Sequence, residues 1–330
     1  MDHAAAKVEP LVTIAMPCLD EARFIEGCLR SVQQQTYPRE RVEILVADGG
    51  SRDGTRAILE RLANEDPRIR VIDNPDRVQA AGLNRLLAEA RGDVVVRMDV
   101  HCQYAADYVE KCIAVLERTG ADNVGGAPRC KGETPFQKAV CAALRSPLGA
   151  GGAPQWNPAN EGFVHSVPFG ALKRETLRAL GGFDARAFTH EDAELNQRIL
   201  AKGGRVYLSP EIVFWYHPRS SVTSLARQYF RYGMGRARTL LKHRELLNPR
   251  PALPFVGLIG ALATAILAPR AAVALAALYA GGTLVEAIRT ARAQGPRVVL
   301  LAWTAFATMH VAHGAGFGAG LARFALTPDW

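Results

Sequence analysis

The end of the chain limits the fold more than any other feature. Residues 252–269 (ALPFVGLIGALATAILAP) and 271–285 (AAVALAALYAGGTLV) carry no charged side chain, and 298–321 (VVLLAWTAFATMHVAHGAGFGAGL) carries none apart from two histidines. Inside hydrocarbon every backbone polar group must be satisfied internally, so such segments have to be helices. The 18 residues of the first make a helix about 27 Å long, close to the ~30 Å hydrocarbon core of a bilayer. The sequence therefore predicts membrane-anchoring helices over about 252–269, 271–288 and 298–321, the second short enough to be re-entrant. The alternative, a soluble subdomain of buried Ala-rich helices, needs more partner surface than the remaining chain offers. Pro269 and Arg270 make the first two helices a tight hairpin. Arg289, Arg292 and Arg297 lie between the second and third. With the basic run upstream, they place both loops on the cytoplasmic side by the positive-inside rule.

That basic run holds eight Lys/Arg between Arg219 and Arg250 against one acid, Glu245. The whole chain has 330 residues and net charge +8. Such a balance suits nucleic acid, anionic lipid or phosphorylated substrates. Because the basic run abuts a membrane segment and no recognition motif accompanies it, nucleic acid is not an expected partner. An apolar content of 48% excludes a disordered chain. The six cysteines (Cys18, Cys28, Cys102, Cys112, Cys130, Cys141) form no CxxC pair, which argues against a zinc ribbon or a disulfide scaffold and suits a reducing compartment. The start, MDHAAAKVEP, has no apolar core, so a cleaved leader is not expected.

Residues 1–245 alternate short Val/Ile/Leu runs with helical patterns. Strands are predicted at 11–17, 42–48, 69–73 and 93–99, and helices to about residue 35, then at 53–64, 78–90 and 106–118. This is the pattern of an α/β domain, a mostly parallel sheet with helices on both faces, whose ligands bind beyond the carboxyl ends of the strands. The first strand ends in Met16-Pro17-Cys18-Leu19-Asp20-Glu21, the second in Asp48-Gly49-Gly50-Ser51-Arg52-Asp53, the fourth in Arg97-Met98-Asp99-Val100-His101. Carboxylates at three strand ends make a polar cleft. Ser51 and Asp53 read better as turn and cap residues. If the fourth strand persists, Asp99 and His101 project to one side, where a carboxylate and an imidazole can share a divalent cation.

The segments PCLDEARFIEGCLRSVQQQ, VADGGSRDGT, VVVRMDVH, FTHED and QYFRY, in that order, resemble the motifs of family 2 glycosyltransferases with the GT-A fold. The membrane-anchored branch that builds bacterial exopolysaccharide, succinoglycan glucosyltransferases included, is the most similar. The resemblance covers about residues 10 to 245. It implies that Asp48 hydrogen-bonds the base of a nucleotide and that Pro17 and Glu21 pack beside base and ribose. Gly82 and Asn84 (in RVQAAGLN) and Arg77 then lie beside the donor. Asp99 matches the first acid of a DxD metal motif, with His101 in place of the last, so Mn2+ or Mg2+ is the implied cofactor; His217 is a further candidate ligand. Gly49 stands where the family often has another aspartate, which touches one ribose contact. Asp192 matches the catalytic base; adjacent helical residues point about 100° apart, so Glu191 and Asp192 cannot both face an acceptor, and it is the motif, not the geometry, that selects Asp192. Glu191, Gln228, Arg231 and Tyr232 fall in segments beside acceptor and diphosphate, Tyr232 standing where tryptophan is usual. Arg236, Arg238, Lys242 and Arg244 are lipid-facing candidates, in a basic interfacial segment at 219–245 that closes the catalytic domain; 246–330 is the anchor. His310 and His313 receive no catalytic role, and the glycines from Gly314 to Gly320 fit close helix packing.

Together with the apolar helices and the basic run, the resemblance implies an inverting, metal-dependent hexosyltransferase on the cytoplasmic face of a bacterial inner membrane. It takes a UDP-sugar, UDP-glucose first, and extends a saccharide on a polyprenyl diphosphate. The alternatives are transfer directly to a polyprenyl phosphate and a non-catalytic nucleotide-sugar-binding membrane partner. A processive synthase needs more membrane helices than three. No sequence feature fixes the oligomeric state.

Overall fold

The computed structural model describes residues 9–150, 153–244 and 249–328. Residues 1–8, on which the leader expectation rests, and the junction at 245–246 lie outside them. In chain order the strands are β1 (Val12–Cys18), β2 (Val42–Asp48), β3 (Ile69–Asp73), β4 (Val94–Arg97), β5 (Cys102–Tyr104), β6 (Asn123–Gly125), β7 (Arg129–Cys130), β8 (Gly162–Phe163), β9 (Ala171–Lys173), β10 (Val206–Leu208) and β11 (Phe214–Tyr216). The helices are α1 (Ile25–Gln33), α2 (Thr55–Glu65), α3 (Gln79–Glu89), α4 (Tyr108–Thr119), α5 (Pro135–Arg145), α6 (Arg174–Ala179), α7 (Glu191–Ala201), α8 (Val222–His243), α9 (Leu253–Leu267), α10 (Pro269–Ala291) and α11 (Pro296–Leu326). Contacts divide the chain into two units, 1–128 with 158–215, and 129–157 with 216–330. This division by contact differs in kind from the functional boundary drawn at residue 245.

In the first unit an eight-stranded sheet runs β3-β2-β1-β4-β9-β6-β10-β8. Strands β1, β2, β3 and β4 are parallel, and β9 is antiparallel to both β4 and β6. The sheet forms because its inner strands are almost wholly apolar and buried on both faces. In β2, for example, Ile44, Leu45 and Val46 are inaccessible to solvent, and each such side chain contributes roughly 1.5–3 kcal/mol. The covering helices show matching stripes: α1 buries Ile25, Cys28, Leu29 and Val32, the i, i+3, i+4, i+7 spacing of one face. Pro17 is tolerated in a central strand because the pairing of β1 with β4 stops at Ala15. Strand order reverses between β1 and β4, which opens a crevice at their carboxyl ends.

Helix α7 is set by a buried amide pair. Asn196 accepts from Asn123 of β6 (2.7 Å) and donates to Ser166 Oγ and the Val167 carbonyl (3.1 Å each). This holds the start of α7, Glu191, over the end of β4.

The second unit contains α5, capped reciprocally by Thr134 and Gln137, and α8, capped by Ser221 and Ser224. Among the described residues, three of its helical segments are long and apolar enough to cross a membrane: Arg250–Leu267, Pro269–Gln294 and Pro296–Leu326. The middle one is longer than the uncharged stretch because the helix continues through Glu286 and Arg289, which pair with each other at 2.6 Å. The glycine run of α11 serves two partners. A side chain on Gly316 or Gly320 would strike the α8 backbone at Phe230 or Met234, and one on Gly314 or Gly318 would strike Pro254 or the Phe255 ring of α9. Arg238 corrects one expectation: it is 2% exposed and does not face lipid, because α8 turns that side inward.

Gly170 immediately precedes β9, the antiparallel neighbour of β4, in a left-handed conformation (φ 96°), and a Cβ there would lie 2.2 Å from Asn123 Oδ1. Gly27 lies in α1 with nothing within 4 Å of its would-be Cβ. Thermal unfolding should separate them: Gly170→Ala is expected to lose about 1–3 kcal/mol, and Gly27→Ala to be neutral or gain up to about 1 kcal/mol.

Candidate active site

The parallel register aligns Cys18 of β1 with Asp48 of β2 and Asp48 with Asp73 of β3. The loops leaving β1 and β2 are laced together. Asp20 donates its N–H to Ser51 Oγ (2.8 Å) and accepts from the Arg52 N–H (2.8 Å); the Glu21 N–H reaches Thr55 Oγ1 (2.7 Å) and the Ala22 N–H reaches Asp53 (3.0 Å). Asp53 also accepts from Thr55, whose hydroxyl is the main reason its carboxyl is held below the usual range, with Ala22 adding to it. Ser51 and Asp53 are thus turn-locking residues. Asp48 is buried, with Oδ1 taking the Ser51 hydroxyl (2.6 Å) and Oδ2 at 3.5 Å from Arg56. Arg77 donates to the Gly50 carbonyl (3.0 Å) and sits 3.9 Å from Asp20. Gly82 lets α3 approach β2, since a Cβ there would be 3.2 Å from that of Ala47. Asn84 uses both ends of its amide on the Phe183 backbone (2.7 and 2.8 Å), so it shapes the wall of this region.

The other side of the crevice is organised by Arg97, which the sequence did not single out. It is the last residue of β4 and 3% exposed. Its Nε and Nη2 donate to the two oxygens of Asp99 (3.1 and 3.2 Å), Nη2 also lies 2.7 Å from Glu191, and its guanidinium carbon is 5.4 Å from the centre of the Phe169 ring. Gln79 adds two longer bonds to Asp99 (3.3 and 3.2 Å). Burial opposes the charge on Arg97, yet Asp99, Glu191 and Asp192 together keep it firmly protonated. Burial raises the proton affinity of Glu191; Arg97 opposes that rise, and Asp192 and Asp99 add to it. Asp192 is less buried and accepts the Phe169 N–H at 3.4 Å. Glu191 is therefore committed to an ion pair, while Asp192 keeps a carboxylate edge without a cationic partner among the described residues.

Strand β4 ends at Arg97, two residues short of the predicted end, and the chain turns at 99–102, where the Cys102 N–H donates to the Asp99 carbonyl (3.2 Å). The same-side premise for Asp99 and His101 is thereby lost. His101 Nε2 instead lies 2.7 Å from Glu21, with its ring edge-on to Phe24. Among the described residues no group of three or more His, Cys, Asp or Glu can hold a metal. Asp99, part-exposed, offers one carboxylate. That donor set fits a hard cation completed by diphosphate oxygens and water, the way Mg2+ is usually held. His217 belongs to the second unit, 4.0 Å from Glu133. Gln228 is in that unit too, donating to Tyr216 Oη (3.2 Å) and Tyr232 Oη (3.0 Å), and Arg231 is exposed on α8.

Backbone strain gathers around this crevice. Five non-glycine residues among those described have positive φ, and four of them belong to the first unit: Asp20, Arg77, Phe169 and His190. Such residues persist where surrounding structure over-determines them, and they cluster at ligand sites. Phe169 and Gln79 gave no sequence signal. Arg97 gave a faint one, a charge closing the apolar run Val94-Val95-Val96.

A mixed sheet of this order, with acids beyond its parallel strand ends and an acidic helix start facing them, defines the GT-A class of glycosyltransferase. A solved mannosyltransferase from Pyrobaculum calidifontis, in complex with GDP-Man and Mn2+, matches it with a TM-score of 0.63 at 24% identity, covering 96% of this chain and 88% of that one. The profile described as Glycosyl transferase family 2 matches residues 13–175. The succinoglycan biosynthesis protein ExoA of Rhizobium meliloti (strain 1021) is 37% identical over 314 residues, 94% of this chain and 95% of that protein. A dolichyl N-acetyl-alpha-D-glucosaminyl phosphate 3-beta-D-2,3-diacetamido-2,3-dideoxy-beta-D-glucuronosyltransferase of Methanococcus voltae is 27% identical, over 74% of this chain and 78% of its own length. The chain belongs to the family 2 glycosyltransferases.

The crevice thiols are not nucleophiles. Burial, with Asp99 and Glu21 nearby, pushes Cys28 up to about 12, and burial with Glu21 and Asp48 pushes Cys18 higher still. Both stay protonated at pH 8, and only the thiolate reacts. Transfer activity is expected to survive N-ethylmaleimide at pH 8, with Cys18 and Cys28 unlabelled by mass spectrometry until the protein is unfolded.

Proposed function

We propose that the chain is an inverting glycosyltransferase that moves a sugar, glucose in the first instance, from a UDP-sugar to a saccharide carried on polyprenyl diphosphate during exopolysaccharide synthesis. It would act on the cytoplasmic face of a bacterial inner membrane. The observation that carries the reading is the charge arrangement around Arg97: the strand-end acid Asp99 and Glu191 of α7 pair with one buried guanidinium, and Asp192 stands next to Glu191 in the chain.

In this reading Asp48, Pro17 and Glu21 line the nucleotide side, Arg77 brings a cation to it, and Gly82 and Asn84 shape the wall beneath. Asp99 would hold Mn2+ or Mg2+, and a bound ion would supply positive charge to the leaving diphosphate. Asp192 takes the proton of the acceptor hydroxyl as its oxygen attacks the anomeric carbon, the one base that an inverting displacement requires. Glu191 stays paired beside it. Gln228, Arg231 and Tyr232 serve the diphosphate and the acceptor, Arg231 by charge and Tyr232 as an aromatic surface. The Methanococcus voltae relative, whose name describes an acceptor sugar on a lipid phosphate, supports a lipid-linked acceptor. Three helices able to cross a membrane support an enzyme held at the surface where such an acceptor sits.

Incubating the purified full chain with UDP- and GDP-sugars, Mn2+ or Mg2+ and lipid-linked acceptors tests the whole reading. Asp192→Asn is expected to lower turnover by about 10²-fold or more while UDP binding is retained. Wild-type turnover in that variant would remove Asp192 as the base, and transfer to unglycosylated polyprenyl phosphate would replace the acceptor.

A further inference from the structure

We propose that Arg97 is the positioning residue of this site: its guanidinium joins the donor-side carboxylate Asp99 to the start of α7, so that the base at 192 is held at a set place relative to the breaking bond. The inference rests on the roles given above to Asp99 and Asp192.

Two links run from Arg97 to α7. One is direct, the 2.7 Å pair with Glu191, next in the chain to Asp192. The other passes through Phe169: its ring lies 5.4 Å from the guanidinium carbon, and its backbone N–H donates to Asp192 at 3.4 Å. Phe169 holds a left-handed backbone (φ 61°) to do both. Toward the donor, the fork of Nε and Nη2 grips both oxygens of Asp99. A planar fork fixes two carboxylates in direction as well as distance, which a point charge does not.

Stability alone does not explain this arginine. A buried ion pair contributes little net stability, and apolar replacements of similar volume are often as stable or more so. Arg97 also leaves Nη1 buried without an acceptor among the described residues, which further lowers what the pairing adds to stability. What the arrangement does secure is the relative placement of two carboxylates on separate elements. A displacement of about 1 Å at such a site costs on the order of 10²-fold in rate.

The test uses the full-length enzyme and the variants Arg97→Met, Arg97→Lys, Glu191→Gln and the double Arg97→Met/Glu191→Gln, measuring kcat, donor KM, UDP affinity and melting temperature. Arg97→Met is expected to lose about 10²-fold in kcat while UDP affinity stays within about threefold. Arg97→Lys should recover only part of the loss, because charge without the fork cannot bridge both carboxylates. The double variant should be no slower than Arg97→Met, since both changes cut one link. A folded Arg97→Met with near-normal kcat, an equal loss of UDP affinity and kcat, or losses that multiply in the double variant would overturn the proposal. If Arg97→Met does not fold, Glu191→Gln reads the same link with Arg97 and Asp99 intact: a fall of about tenfold in kcat at unchanged UDP affinity supports it, and unchanged kcat overturns it. An active Asp192→Asn enzyme would instead defeat the underlying assignment of the base.

Discussion

A guanidinium stays charged, so burying one at the rim of a β-sheet is costly unless anions are fixed around it. Arg97 meets that condition with acids from two directions, Asp99 just beyond its own strand and Glu191 at the start of α7. The requirement shapes much of the first unit. Helix α7 must begin where its acids reach the end of β4, and the Asn123–Asn196 amide pair fixes that position. Phe169 must adopt an unfavourable backbone so that its ring covers the guanidinium. Gly170 must be small because Asn123 occupies the space beside it. The arrangement of acids around Arg97 is in this sense the solution to a charge-burial problem.

Much of this unit was legible in the residue order. Strands β2 and β3 fall where predicted, because unbroken apolar runs between polar turns leave few alternatives. Strand β4 did not: it stops at Arg97, and a turn at 99–102 sends His101 to Glu21. A charge after three valines reads as the point where a strand meets solvent, and only the position of α7, far away in sequence, shows that it is enclosed. The left-handed Phe169 was invisible for a similar reason, since that conformation is imposed by tertiary contacts and favoured by no local propensity. For Asp192 only a motif speaks in the sequence; the ion pair of its neighbour Glu191 with Arg97 is visible only in the fold.

The second unit shows how an apolar sequence can understate its own specificity. Hydropathy marks three helices, but their packing depends on glycines in α11 that alternate between two partners, α8 and α9. Polar groups then tie the helices to the turn after α5. Ser146 donates to Glu286 of α10 (2.6 Å), His310 of α11 meets the Leu148 carbonyl (2.7 Å), and Arg250, just before α9, donates to the carbonyls of Pro147 and Gly149. These bonds explain why 129–157 groups by contact with the apolar helices, although it is far from them in sequence. Close packing through small residues and interhelical polar bonds is how helices associate where lipid offers no hydrophobic gain.

The most direct measurement is a structure of the full chain with a non-hydrolysable UDP-sugar and Mn2+. The account predicts electron density for the ion and diphosphate at Asp99, with a single hexose between that carboxylate and Asp192. Nucleotide bound away from the ends of β1, β2 and β4, or a sugar out of reach of residue 192, would contradict it.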